Sequence, residues 1–138
     1  MAAAILALLT GAFGLRVAGQ FVVSRWAPAW LPPMPEWYSG LIPYPRLLAM
    51  QIGMLAGMTV VIVGLALGRP LIADPRPALG TVLLVIAWPY GLSMPVRYAV
   101  RMWRNPEARW TGRTIPIVFH VVLATWLIVL GSYLRPPT

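Results

Sequence analysis

The chain has 138 residues, 59% hydrophobic and only 10% charged, with a mean hydropathy of +0.76; soluble domains carry charge on roughly a quarter of their residues, so this composition belongs to a membrane protein with no room for a separate soluble domain. The net charge of +8 comes from eleven arginines, no lysine and three acids, Glu36, Asp74 and Glu107. With no polar domain to present that charge, anionic lipid headgroups are the expected counter-ions rather than nucleic acid, and the absence of cysteine removes disulfides, thiolate catalysis and thiolate metal sites.

Four apolar stretches, 2–23, 47–67, 78–96 and 114–134, run 19 to 22 residues each. At about 1.5 Å per residue, a helix of that length crosses a hydrocarbon core roughly 30 Å thick. The expected fold is all-α: a polytopic integral membrane protein with four antiparallel transmembrane helices in a small bundle, a single domain over 1–138. The amino terminus lacks the basic region of a secretory signal and reads as a retained first span.

Arg16 is the least expected residue of the first span. It lies nine positions before Arg25, about 13 Å deep by helical rise, and no carboxylate occupies any span to neutralise it. An arginine at that depth faces protein or a water-filled cavity. Its candidate partners are a backbone carbonyl at a helix break, a bound anion or an acid from another subunit, with a snorkelling, water-solvated side chain as the alternative. Gln20 lies one turn further on the same face.

The loop 24–46 contains six prolines together with Trp26, Trp30, Trp37, Tyr38 and Tyr44. Prolines preclude a long helix, and the rings suit the headgroup zone. An interfacial belt is expected, or else a lid over a site between helices. In the second span Gly53, Gly57, Gly64 and Gly68 fall within a sector of roughly 60°, which predicts a smooth helix-packing groove, used within the bundle or for docking another subunit. Gln51 points roughly 130° away from it.

Residues 68–77 read as a short turn producing an antiparallel hairpin. In the third span Pro89 removes the donor for the Val85 carbonyl and Gly91 loosens the next turn, so a kink or break is expected, and it would point to a site because Tyr90 and Ser93 lie there. The helix is expected to continue past Val96, placing Arg97, Arg101 and Arg104 on one face for lipid headgroups. In the last span His120 shares a face with Ala124 and Gly131, which predicts close approach to a neighbouring helix.

Loops 24–46 and 97–113 share one side of the membrane and hold seven arginines, against three on the other side. The positive-inside rule makes 97–113 a cytoplasmic loop, puts both termini outside the cytoplasm, and makes a bacterial inner membrane the expected setting. Measured from that side, Gln51, Tyr90, Ser93 and His120 lie about 6 to 11 Å below the boundary. With Arg16 and Gln20 they form a polar layer, a candidate ligand-binding site.

No paired carboxylates, nucleophile elbow, HExxH, phosphate loop or CxxC is present, and enzymatic activity is not expected. A single histidine cannot complete a bis-histidine haem or a zinc site within one chain, so no metal or cofactor is required by the sequence, although one axial imidazole for a pigment or haem remains available. The leading expectation is a non-enzymatic accessory or scaffolding subunit of a larger membrane complex, with a protein partner or homo-oligomer contacting the second helix. The competing expectation is an intramembrane binder or transporter of an anionic lipid or carboxylate.

Overall fold

The computed structural model describes residues 1–38, 40–108 and 114–136. Four long helices account for most of it: α1 (Ala2–Trp26), α2 (Tyr44–Ala66), α4 (Pro77–Arg104) and α5 (Thr114–Leu134), with a one-turn helix α3 (Pro70–Ala73) between α2 and α4. Each long helix meets the length and apolarity needed to cross a membrane, and only 17–22% of the most apolar part of each is buried inside the protein. Their outward faces carry Leu8, Leu15, Val60, Val85 and Val118, a surface that lipid solvates and water does not. The protein is an integral membrane protein with a helical bundle fold.

Helix ends follow local chemistry. Ala27, in the left-handed region at φ 43°, returns its amide to the Val23 carbonyl and stops α1. Pro43 and Pro45 sit at the start of α2, three residues before the apolar run, where a missing amide costs nothing. At the other end Gly68 adopts φ 61° and turns the chain out. α4 extends past Val96 through Arg104, as expected.

α1 packs against α2 and α5, and α5 packs against α4, giving the lateral order α2, α1, α5, α4. Among the described residues α2 and α4 share no packed interface. This corrects the expected hairpin. The connection between them is occupied by α3, whose Ile72 side chain lies on Gly64, and the segment is tied instead to the end of α5. The Arg76 amide donates to the Leu134 carbonyl at 2.9 Å, and the Tyr133 hydroxyl donates to the Ala73 carbonyl at 2.9 Å.

The apolar core joins α1, α2 and α5 through Leu6, Phe13, Val17, Met58, Trp126 and Leu130. Trp126 donates its indole N–H to Thr10 Oγ1 at 3.0 Å, satisfying a donor that lipid cannot. The tightest helix crossing is between α4 and α5. A Cβ on Gly80 would lie 2.7 Å from the Gly131 carbonyl oxygen, and one on Gly91 would lie 3.1 Å from the Ala124 methyl. Here small residues let two backbones approach closely.

α4 is a continuous helix across both Pro89 and Pro95, not a broken one. Pro89 removes a single amide, while Ala87, Gly91 and Met94 on either side of it are packed inward, Gly91 directly on α5. The glycine groove expected on the second span is filled only in part within the chain. Only Gly64 meets a neighbour within the chain, Gly68 serves the turn, and Gly53 and Gly57 have nothing within 4 Å of where a Cβ would lie.

Candidate functional site

Because α2 and α4 stand at opposite ends of the row, the space between them is floored by α1 and α5 and filled by no helix. At the end of the molecule carrying Arg97 and Arg104 that space forms a cleft of about 950 Å³, toward the upper end of the roughly 300–1,000 Å³ typical of small-molecule sites. Its walls combine apolar side chains, Leu47, Met54, Val96, Val100, Ile117 and Leu123, with a concentrated positive charge. Arg16, Arg97, Arg101 and Arg104 line it, against one carboxylate, Glu36.

Arg16 sits at the cleft wall and is 92% buried, being 8% exposed. Its Nη2 donates to the Trp37 carbonyl at 2.8 Å. The carbonyl expected as one of its partners is therefore present, but it comes from the aromatic loop and not from a helix break. The guanidinium carbon also lies 5.9 Å from the centroid of the Phe119 ring, within cation–π range. Arg16 Nε, however, is buried with no hydrogen-bond partner.

Trp37 is the residue that sequence reasoning missed. Of the three loop tryptophans, Trp26 and Trp30 are exposed, whereas Trp37 is buried. Its ring lies against α1 where Gly19 leaves room, since a Cβ on Gly19 would come within 2.7 Å of the six-membered ring, and its indole N–H donates to the Pro32 carbonyl at 2.9 Å. The loop thus presents two of its tryptophans outward and packs the third against α1. A glycine flanked by Arg16 and Gln20 on one helix face was the available signal.

Behind Arg16, Gln51 of α2 donates its Nε2 to Gln20 Oε1 of α1 at 3.2 Å. Gln20 is fully buried and Gln51 is 4% exposed. Gln51 lines the cleft and Gln20 does not. The Gln51 Oε1 and Gln20 Nε2 atoms, with the Tyr44 hydroxyl and Arg101 Nη1, are further buried polar atoms without partners.

The rest of the expected polar layer divides differently. The Tyr90 hydroxyl is hydrogen-bonded to His120 Nδ1, with the rings edge to face at 5.7 Å, so this pair bridges α4 and α5. Ser93 returns its hydroxyl to the Tyr90 carbonyl at 2.7 Å. His120 lines the cleft, but neither Tyr90 nor Ser93 does. The structure therefore brings Arg16, Gln51 and His120 to one cavity, with Gln20 immediately behind them. Arg97, Arg101 and Arg104 form the rim of the same cavity. Arg109 and Arg113, which contribute to the charge asymmetry of the loops, lie outside the described residues.

Among the described residues no group of three or more histidine, cysteine or acidic side chains could hold a metal ion. The arginine-rich lining of the cleft is suited to holding an anion. No protein-family model matches the chain, and no curated protein or solved structure is detectably similar to it.

Proposed function

We propose that this membrane protein binds an anionic amphiphile, headgroup among the arginines of the cleft and tail along its apolar walls. The observation that carries this reading is the cleft itself, where four guanidiniums meet one carboxylate next to leucine, valine and methionine walls. In a low-dielectric setting an uncompensated cluster of that kind is costly and is relieved by an anion. Under the positive-inside reading the cleft faces the cytoplasmic leaflet, where anionic lipids concentrate and each nearby arginine contributes about 1 kcal/mol of attraction.

Native mass spectrometry of the protein released in mild detergent tests this. Anionic phospholipid should be retained at least about tenfold over phosphatidylcholine of the same acyl chains, the equivalent of roughly 1.4 kcal/mol. The triple variant Arg97→Gln, Arg101→Gln, Arg104→Gln should lose most of that preference. Equal retention of both lipids by the unmodified protein would overturn the proposal.

A second reading, an accessory or scaffolding subunit, is favoured by the bare outer face of α2, where Gly53 and Gly57 meet nothing within the chain. On that reading Gly57→Leu releases a partner from a mild-detergent complex. A chain that runs as a monomer with or without the substitution argues against it.

A further inference from the structure

The cleft carries more positive charge than one phosphodiester can answer. Four arginines line it, and of the chain's three acids only Glu36 does, which leaves a formal surplus of three among the described residues. The charges come from two helices. Arg97, Arg101 and Arg104 lie at i, i+4 and i+7 of α4, over a rise of about 10.5 Å, whereas Arg16 belongs to α1 and is buried. That rise is close to the Debye length of about 10 Å at 0.1 M salt, and the apolar walls lower the local dielectric, so an anion anywhere along the column is attracted by several guanidiniums at once. A carboxylate or a phosphodiester brings one negative charge and leaves most of the surplus standing. A terminal phosphate monoester brings up to about two and three acceptor oxygens, which suit the planar donor forks of arginine, and a diphosphate brings more.

We infer that the cleft prefers an amphiphile whose headgroup ends in a phosphate monoester or diphosphate over one with a singly charged phosphodiester. The inference rests on the amphiphile-binding reading above and adds the headgroup class to it. The apolar walls commit the occupant to a lipid in preference to the free phosphate ester. The outer pair, Arg101 and Arg104, tells the two headgroups apart, because without it only Arg16 and Arg97 oppose Glu36, and the surplus that remains matches a single negative charge.

Two lipids isolate the second charge. Phosphatidic acid and phosphatidylmethanol with the same acyl chains differ by one methyl group, which blocks the second ionisation. Titrated into the full chain in mild detergent and read by native mass spectrometry at about pH 8.5, where the monoester is doubly charged, phosphatidic acid should bind about fivefold more tightly, the gain from one further charge beside the arginines. At about pH 5.5 it is mostly singly charged, and the ratio should fall toward one. Phosphatidylmethanol keeps one charge throughout, so the ratio separates the second charge of the lipid from any titration of His120 or Glu36. The double variant Arg101→Gln, Arg104→Gln should bring the high-pH ratio to less than about twofold while both anionic lipids still exceed phosphatidylcholine. If that variant does not fold, Arg104→Gln alone, at an exposed position, should lower the ratio. Equal binding of the two anionic lipids at high pH overturns the headgroup assignment and leaves the amphiphile reading standing. A preference that does not change with pH traces the difference to the methyl group and overturns the assignment too. An unchanged ratio in a folded variant overturns the role of the outer pair. Equal binding of all three lipids defeats the underlying reading, and displacement of phosphatidic acid by millimolar glycerol phosphate defeats the choice of a lipid over a soluble ester.

Discussion

Replacing Arg16 by methionine separates an arginine kept for a ligand from one that holds the fold together. The substitution removes a charged hydrogen bond to the Trp37 carbonyl, 2.8 Å long, worth about 1.5–3 kcal/mol. It also removes a guanidinium that is 8% exposed within a span and has an unpartnered Nε, and an arginine in mid-span costs about 2.5–3.5 kcal/mol on insertion scales. The two nearly cancel, as happens when a buried charge is exchanged for an apolar side chain of similar length. Unfolding free energy should therefore change by no more than about 1.5 kcal/mol in either direction, measured by titrating dodecyl sulfate into mixed micelles and following helicity. Anionic lipid retention, in contrast, should fall severalfold. A loss of stability beyond about 3 kcal/mol would refute this reasoning, because Arg16 would then be the fastening of Trp37 and its loop, and its burial would need no ligand.

The same titration distinguishes the glycines. Gly131→Ala places a Cβ 3.0 Å from the Gly80 carbonyl oxygen and should cost about 1–3 kcal/mol by overpacking, whereas Gly57→Ala meets nothing and should be neutral or gain up to about 1 kcal/mol of helix propensity; equal effects at the two positions would contradict the α4/α5 crossing. Tyr90→Phe deletes the hydroxyl bonded to His120 and should cost about 0.6–1.7 kcal/mol with lipid retention unchanged, so a fall in retention would place Tyr90 in the cleft after all. For orientation, single cysteines at Asp74 and Glu107 in this cysteine-free chain should react with an impermeant maleimide from opposite sides. Labelling of the Glu107 position in intact cells would reverse the proposed topology.

The four spans were legible because hydrophobicity is a local property and a bilayer sets a minimum length. The order of the helices was not. In lipid the outward and inward faces are equally apolar, so Val60, exposed, and Val17, buried, look alike in sequence, and periodicity cannot tell which face meets a neighbour. For the same reason the four glycines of the second apolar stretch and its end gave the stronger pattern, while the closest backbone approach belongs to Gly80 and Gly131 on two other helices. Proline gave a misleading signal of a break, since α4 runs through both Pro89 and Pro95 as one helix. Of the site, Arg16, Gln51 and His120 were visible because polarity within an apolar run is rare and has to be accommodated. Trp37 was hidden among similar neighbours, and only the three-dimensional path of the loop separates it from Trp26 and Trp30.

The absence of a packed seam between α2 and α4 among the described residues bears on how the proposed occupant would reach the arginines. With no packed interface between the two helices that bound the cleft, the proposed amphiphile would enter from the surrounding leaflet by lateral diffusion. Its saturation is then governed by mole fraction within the bilayer: diluting the membrane with neutral lipid empties the site, whereas diluting the buffer leaves it filled.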